Sequence, residues 1–366
     1  MRVLAPDSPS RLSKARRLAR LSNGVAQDAD GALRSLTILI PVFNDWACAA
    51  QLLPLIDAEL SGIAAEVHVI LIDDGSTAPA SEELVPLPLQ AICDVQVLRL
   101  RGNLGHQRAI AIGLYYVHQF LSADATIVMD GDGEDRPRDI PALLAGLAQS
   151  GGREMVFAAR TKRLERPAFR FFYHLYRIVH RVLTGIPVRV GNFSVVPRAS
   201  LDRLMVSSDL WNHYAAAAFR SKLPLRMVPL ARGTRLNGKS HMNFFALAVH
   251  GLSAISVFAD VVSVRLLVSA TAFGFILLLL LAGVLYGRFA MPHAIPAWAA
   301  IAVGSLAAIC LQAMMLSLGL VLAIVGARSH TSFIPLRDSE YYILEQKLLW
   351  GKHEPVGLRR WRTGAV

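Results

Sequence analysis

The sequence predicts an α/β protein: a mostly parallel sheet with helices on both faces, followed by interfacial helices and a two-helix transmembrane hairpin. Three observations carry this expectation. Short apolar runs alternate with helical patterns from Ser35 onward, the signature of parallel strands covered on both sides. Four consecutive strand ends carry polar loops, three of them with glycine, and ligands of open α/β sheets gather at the carboxyl ends of strands. Two charge-free stretches then follow, each long enough to cross a bilayer.

Taken in order, residues 1–34 form a basic arm with Arg2, Arg11, Lys14, Arg16, Arg17 and Arg20. It holds no apolar run of signal-peptide length and is expected to be a flexible, solvated tail. Residues 35–240 are expected to be the α/β domain. Its strands are LTILIPV (36–42), VHVILID (67–73), VQVLRL (95–100), ATIVMD (125–130) and MVFAA (155–159), all β-rich apolar runs. Helical patterns lie between them at Ala47–Ile63, Arg108–Leu121 and Asp139–Ala148.

Within this domain, residues 166–185 place Arg170, His174, Arg177 and Arg181 on one helical face and Phe169, Phe172, Tyr176, Val179 and Leu183 on another. Such a helix suits a lipid interface; the alternative is a surface helix whose apolar stripe faces its own domain. Residues 241–264 are expected to lie along the membrane. Leu266–Gly287 and Ala294–Ala327 carry no charge and supply two spans within 265–327, joined by a loop holding Pro292 and Pro296. Residues 328–366 are a basic tail ending in Arg359-Arg360-Trp361-Arg362.

Composition agrees with this division. The chain has 366 residues, 54% of them hydrophobic, and a net charge of +11, with mean hydropathy +0.42. The basic residues gather beside apolar stretches, which favours an anionic membrane surface over nucleic acid. The loop between the spans carries only Arg288 and His293. The positive-inside rule therefore puts the α/β domain and both termini in the cytoplasm, on a multi-pass inner-membrane protein. Cys48, Cys93 and Cys310 have no metal-ligand spacing, and disulfides are not expected.

The fourth strand end is the most unusual. In VMDGDGEDRP (128–137), Asp130, Asp132, Glu134 and Asp135 crowd four carboxylates into six positions. Like charges so close repel, so the segment is either an open solvated turn or the partner of something positive. Hard carboxylate oxygens suit Mg²⁺ or Mn²⁺. A calcium-binding EF-hand loop is excluded because its sixth and twelfth positions would be Asp135 and Pro141 rather than Gly and Glu. Asp73-Asp74-Gly75-Ser76 reads as a turn or as a strand-tip acceptor for a nucleobase or ribose. No GxGxxG follows any strand.

Together these spacings resemble the family-2 glycosyltransferases of GT-A fold, over about Leu36 to Leu266. The motifs are Pro41-Val42-Phe43-Asn44, Asp73-Asp74-Gly75-Ser76, Arg101-Gly102-Asn103-Leu104-Gly105 (with one extra residue) and Asp130-Gly131-Asp132. Arg235-Leu236-Asn237-Gly238-Lys239-Ser240 looks like the R-x-x-G-x-S segment of the polyprenyl-phosphate branch, which includes dolichol-phosphate mannose synthase and bactoprenol glucosyltransferase. The resemblance implies a membrane-anchored enzyme moving one sugar from a nucleotide-sugar donor to a polyprenyl phosphate, with Mg²⁺ or Mn²⁺ as cofactor. Pro41, Phe43, Asp45, Asp73, Asp74 and Asn103 would bind the nucleotide-sugar, together with Asp130, Arg235 and Lys239. Asp130, Asp132 and Glu134 would hold the metal, and Asp132, Asp135, Arg160 and Arg235 would serve catalysis.

The chain departs from that branch at Asn192-Phe193-Ser194-Val195, where the relatives carry D-F-R-L, and has His241 where they carry Lys. Asn is no general base. A phosphate monoester, whose second pKa is about 6, needs none, whereas a sugar hydroxyl would need one, with Asp135 as the candidate. Two other functions stay open at this level: transfer to a glycolipid or polysaccharide hydroxyl, and a catalytically silent membrane scaffold. No nucleic-acid partner is expected, and a homo-oligomer is compatible with the sequence.

Overall fold

The computed structural model describes residues 33–78, 80, 84, 88–160, 178–185, 190–237, 244–290, 296–327 and 333–351. The basic arm up to residue 32, residues 166–177 of the expected amphipathic helix, Lys239, and the tail beyond 351 lie outside them.

Among the described residues eight strands form one sheet: β1 (Ser35–Val42), β2 (Glu66–Asp73), β3 (Ile92–Leu100), β4 (Ala125–Val128), β5 (Met155–Arg160), β6 (Val190–Pro197), β7 (Leu225–Leu230) and β8 (Ile343–Gly351), in the order β7-β5-β6-β4-β1-β2-β3-β8. The neighbours β4, β1, β2 and β3 are parallel, so the ends of all four that carry polar loops share one rim. Leu36, Ile38, Leu39 and Ile40 are all fully buried, which is why β1 is apolar without alternation: both of its faces are covered.

The helices that cover them are α1 (Trp46–Leu60), α2 (His106–Phe120), α3 (Ile140–Gln149), α4 (Arg198–Leu204) and α5 (Tyr214–Arg220). Leu52 and Ile56 of α1 and Leu143 of α3 pack with Ile38 and Ile40 on one face. On the other, Ile110 and Leu114 of α2, Leu201 of α4 and Tyr214 of α5 pack with Leu39 and Ile70.

The five strands read from the sequence are present, and three more make the sheet mixed. β6 runs antiparallel to β4 and β5, β7 runs parallel to β5, and β8 runs antiparallel to β3. Gly191, Asn192 and Pro197 break the apolar pattern of β6. Pro229 obscures β7, but β7 is an edge strand, where a missing amide donor is tolerated. β8 lies in what the sequence alone presents as a tail.

Beyond the sheet come α6 (Phe244–Ser256), α7 (Ala259–Ala290) and α8 (Ala297–Ala327). Helix α7 starts before the expected span, and the turn separating it from α6 falls at Val257-Phe258, both buried with Ala216 and Val262. Arg220 of α5 fixes that turn. It donates to both carboxylate oxygens of Asp260 at 2.7 and 2.9 Å and to Val257 O at 2.6 Å, and it pairs with Asp209 at 2.9 Å. Arg265 donates to Val182 O and Leu183 O, both at 2.9 Å, satisfying the last carbonyls of the helical residues 178–184. Ile178, Val179 and Val182 there are exposed, whereas His180 and Thr184 are buried.

Segments Ala259–Gly287 and Ile301–Gly326 are long and apolar enough to cross a membrane, with mean hydropathy 2.5 and 2.4 and none of either hydrophobic window buried. They pack on each other where Gly274 meets Cys310. Because β8 rejoins the sheet after α8, the chain leaves and re-enters the same domain, and the two helices make a hairpin.

Across the β2–β3 ladder His68 faces Asp94, with Nδ1 2.6 Å from Oδ2. The Asp94 hydrogen bond, opposed by burial, holds the imidazole above its usual pKa. A raised folded-state value stabilises the fold fully below the unfolded value of about 6.5 and loses that contribution as pH rises through the folded one. Thermal midpoints should therefore fall as pH rises above about 6.5, and His68→Gln should flatten that fall. An unchanged slope in the variant would exclude His68 as its source.

Candidate active site

The rim is laced together by its own loops. At the end of β2, Asp73 Oδ1 accepts from Ser76 N at 2.8 Å, and its Oδ2 lies 3.6 Å from Arg99 Nε, so Asp73 makes the turn. Asp74 accepts from Leu104 N at 2.8 Å and Gly105 N at 2.9 Å, which ties the β3 loop to the β2 loop. Burial pushes the Asp74 carboxyl up, and these two amides pull it back part of the way. Gly75 has φ +73°, and a Cβ there would stand 2.6 Å from Asn103 N, so no side chain fits. Asn44 Oδ1 accepts from Thr77 N and Oγ1 at 2.9 and 3.0 Å, adding the β1 loop. Phe43 is 46% exposed beside them; Asn103 is exposed and Pro41 is buried within β1.

The acidic loop after β4 meets a cationic segment. Residues 232–237 run against it, Gly233 N donating to Glu134 O at 2.7 Å and Leu236 N to Asp132 O at 2.9 Å. This brings Arg232 onto Glu134 and Arg235 onto Asp45, with Arg235 Nη1 also 3.4 Å from Asp132 Oδ2. Gly133, at φ +83°, leaves the space that Leu236 fills. Asp135 is 5% exposed and accepts from Asp130 N at 2.9 Å, so its carboxylate braces the loop from within. Burial first, then the neighbouring Asp130, raises the Asp132 pKa; Arg235 and Arg232 oppose them.

Two residues that the sequence gave no role complete the cluster. His106, at the start of α2, has Nε2 3.0 Å from Asp130 Oδ1. Asn192, at the departure from the branch pattern, has Nδ2 3.2 Å from the same oxygen and 2.9 Å from His106 Nε2. Gln107 Nε2 donates to Asn192 Oδ1 at 3.2 Å. Burial works against a charged His106, and the carboxylates of Asp130, Asp135 and Asp74 outweigh it, so its pKa lies above the usual value. Asn192 thus stands beside the acidic loop as an amide that neither gives nor takes a proton. The position of His106 directly after Gly105 in a rim loop was the available signal for it, and that of Arg232 three residues before Arg235 was the signal for Arg232.

Among the described residues no three His, Cys, Asp or Glu side chains converge as a complete ligand group. Asp130 and Asp132 nonetheless fit a divalent cation of the Mg²⁺ type, which uses one or two carboxylates and completes its shell with water and substrate phosphate. They are close enough to repel, and positive charge already stands against Asp132. Glu134, expected as a third ligand, is turned to Arg232. Arg160 ends β5 opposite Leu230 of β7, one residue before the cationic segment begins its approach to the acidic loop.

Arg235 balances two carboxylates at once. Arg235→Ala should lower the thermal midpoint, because it leaves partly buried charges unpaired. Adding Asp132→Asn to that variant should restore part of the loss. Strictly additive effects in this double-mutant cycle would show that the pair is not coupled.

Residues 37–205 match the family model described as "Glycosyl transferase family 2". The chain is 27% identical over 132 residues to the undecaprenyl-phosphate 4-deoxy-4-formamido-L-arabinose transferase of Erwinia tasmaniensis, covering 36% of this chain and 39% of that one. The Pseudomonas paraeruginosa protein of the same name is 27% identical over 151 residues, covering 41% and 43%. The chain thus spans about two-fifths of the length of the curated relatives it matches. Among solved structures, glucosyl-3-phosphoglycerate synthase from Mycobacterium tuberculosis, in complex with Mg²⁺ and uridine diphosphate, superimposes with a TM-score of 0.42 at 15% identity, covering 71% of this chain and 85% of that one. The matched segment holds the rim loops and the acidic loop described above, and over it the chain is similar to glycosyl transferase family 2.

Proposed function

We propose that the protein is a membrane-anchored glycosyltransferase that moves a single sugar from a nucleotide-sugar donor to a polyprenyl phosphate at the cytoplasmic face. The observation that carries this reading is the pairing of the acidic loop with Arg235 on a rim that also holds Phe43 and Asp74. It is supported by relatives named as undecaprenyl-phosphate sugar transferases and by the hairpin rooted in the same domain.

In this reading the exposed ring of Phe43 and the loops held by Asp73, Asp74 and Asn103 receive the nucleoside. Asp130 and Asp132 would hold Mg²⁺ or Mn²⁺, which supplies positive charge to the departing diphosphate. Arg235 exchanges its carboxylate partners for diphosphate oxygens, a geometry for which its planar fork is suited, and Lys239 lies on the same segment. The acceptor phosphate oxygen attacks the anomeric carbon in line as the carbon–diphosphate bond breaks, inverting that centre. At neutral pH the acceptor is already largely a dianion, so no proton is removed in the step and Asn192 is no obstacle. Asp135 keeps Asp130 in place, and Arg160 pairs with acceptor phosphate. The hairpin crosses the inner membrane twice and leaves both termini in the cytoplasm, where the donor is supplied.

The test is incubation of the purified full chain with labelled nucleotide sugars, Mg²⁺ or Mn²⁺, and either polyprenyl phosphate or a hydroxyl-bearing glycolipid. A mild-acid-labile lipid product formed only from the phosphate acceptor is expected. Asp132→Ala should lower its rate by about 100-fold or more, the scale for loss of a group stabilising transition-state charge. Product from the hydroxyl acceptor alone would favour the second acceptor class. Absence of both transfer and donor hydrolysis across the panel would favour a silent scaffold.

A further inference from the structure

Three histidines lie on elements that contact the base of the apolar hairpin, and the reaction steps above use none of them. His213 precedes α5, His180 lies in the helical residues 178–184, and His250 lies in α6. The His213 and His250 rings are 4.7 Å apart at 42°. His213 is 8% and His180 4% exposed. Each is carried by an element fixed to the base of the hairpin. Arg265 of α7 holds residues 182 and 183, α6 leads directly into α7, and α5 ends at Arg220, which grips Asp260.

The cluster also adjoins the acidic loop. Gln107 Oε1 accepts from Tyr214 N at 2.7 Å, which seats His213 beside the start of α2, where His106 contacts Asp130. His106, against Asp130, and His213, against His250, are thus carried by two elements in contact. Backbone amide Ala216 N donates to His213 Nδ1 at 3.4 Å, so the neutral ring carries its proton on Nε2 and offers a donor without gaining charge. Thr184 Oγ1 donates to His180 O at 2.7 Å and lies 3.1 Å from His180 Nδ1, fixing that ring as well.

We propose that His180, His213 and His250 form the seat for a phosphate monoester: the headgroup of the lipid acceptor, entering from the hairpin side and held next to the acidic loop. The inference rests on the polyprenyl-phosphate reading and deepens it by placing the acceptor. Imidazole N–H groups and a phosphate dianion make charge-assisted hydrogen bonds once the site takes up a proton. Burial, together with the other histidines His250, His180 and His106, lowers the His213 pKa to about 3, a repulsion that an anion among the rings relieves. Arg235 is paired with Asp45 and Asp132, so the headgroup has a separate set of donors nearer the membrane.

The test is direct binding of undecaprenyl phosphate, undecaprenol and inorganic phosphate to the full chain in nanodiscs, without any sugar donor. The wild type should prefer the phosphorylated lipid over the alcohol by at least tenfold, with inorganic phosphate weak. His250→Ala and His213→Asn, the latter keeping an acceptor for Ala216 N, should each weaken binding of the phosphorylated lipid about five- to tenfold and leave the alcohol unchanged. His118→Ala, at the far end of α2, is the control and should change neither. Unchanged binding of the phosphorylated lipid in both cluster variants, or equal loss of phosphate and alcohol forms, overturns the seat alone. A wild type that binds both lipids equally overturns the lipid-phosphate acceptor itself, and one that binds inorganic phosphate as tightly as the lipid overturns a seat for the lipid headgroup.

Discussion

The structure depends on the charge balance at the end of β4. Four carboxylates in six residues cannot share a partly buried loop unless positive charge or hydrogen-bond donors face each of them. They are matched one by one. Asp130 meets His106 and Asn192, Asp132 meets Arg235, Glu134 meets Arg232, and Asp135 takes the Asp130 amide. The partners of Asp130, Asp132 and Glu134 come from α2, β6 and the segment after β7, distant in sequence, whereas that of Asp135 lies within the loop. The loop therefore acts as the point around which separate parts of the domain are assembled.

The second constraint is the junction with the apolar hairpin. Arg220 fixes backbone and carboxylate partners at the start of α7, and Arg265 fixes carbonyls at the end of the helical residues 178–184. β8 then returns to the sheet edge beside β3, and Trp211 stacks on Phe333 at 3.8 Å between ring centres. The hairpin is thus held at both of its ends by the domain. At this junction the helical residues 178–184 and α6 expose Ile178, Val182, Val249 and Leu252, and His180 and His250 lie on the same two elements.

Much of this was legible in the sequence because it is local. The parallel strands announce themselves as apolar runs ending in Asp and Gly, and DDGS and DGDGED sit where strand tips must be. The hairpin is legible from length and lack of charge. β6 and β7 were hidden because Asn192 and Pro229 serve the site and the edge, not the pattern, and β8 because strand pairing across two long apolar helices leaves no local mark. For the same reason the sequence offered Arg235 as a phosphate ligand but not as the partner of Asp45 and Asp132. It flagged Asn192 as a loss of a carboxylate without showing that the amide bridges His106 and Asp130. Such contacts join positions many tens of residues apart, and spacing along the chain carries no trace of them.

The central claim is that the acidic loop exchanges Arg235 for a cation when a diphosphate arrives. Mn²⁺ binding to the full chain, read by electron paramagnetic resonance with and without UDP or GDP, tests it most directly. Weak binding of Mn²⁺ alone and at least tenfold tighter binding with one of the two nucleotides is the expected result. Equal affinity with and without either nucleotide, or binding that survives Asp130→Ala together with Asp132→Ala, would contradict it.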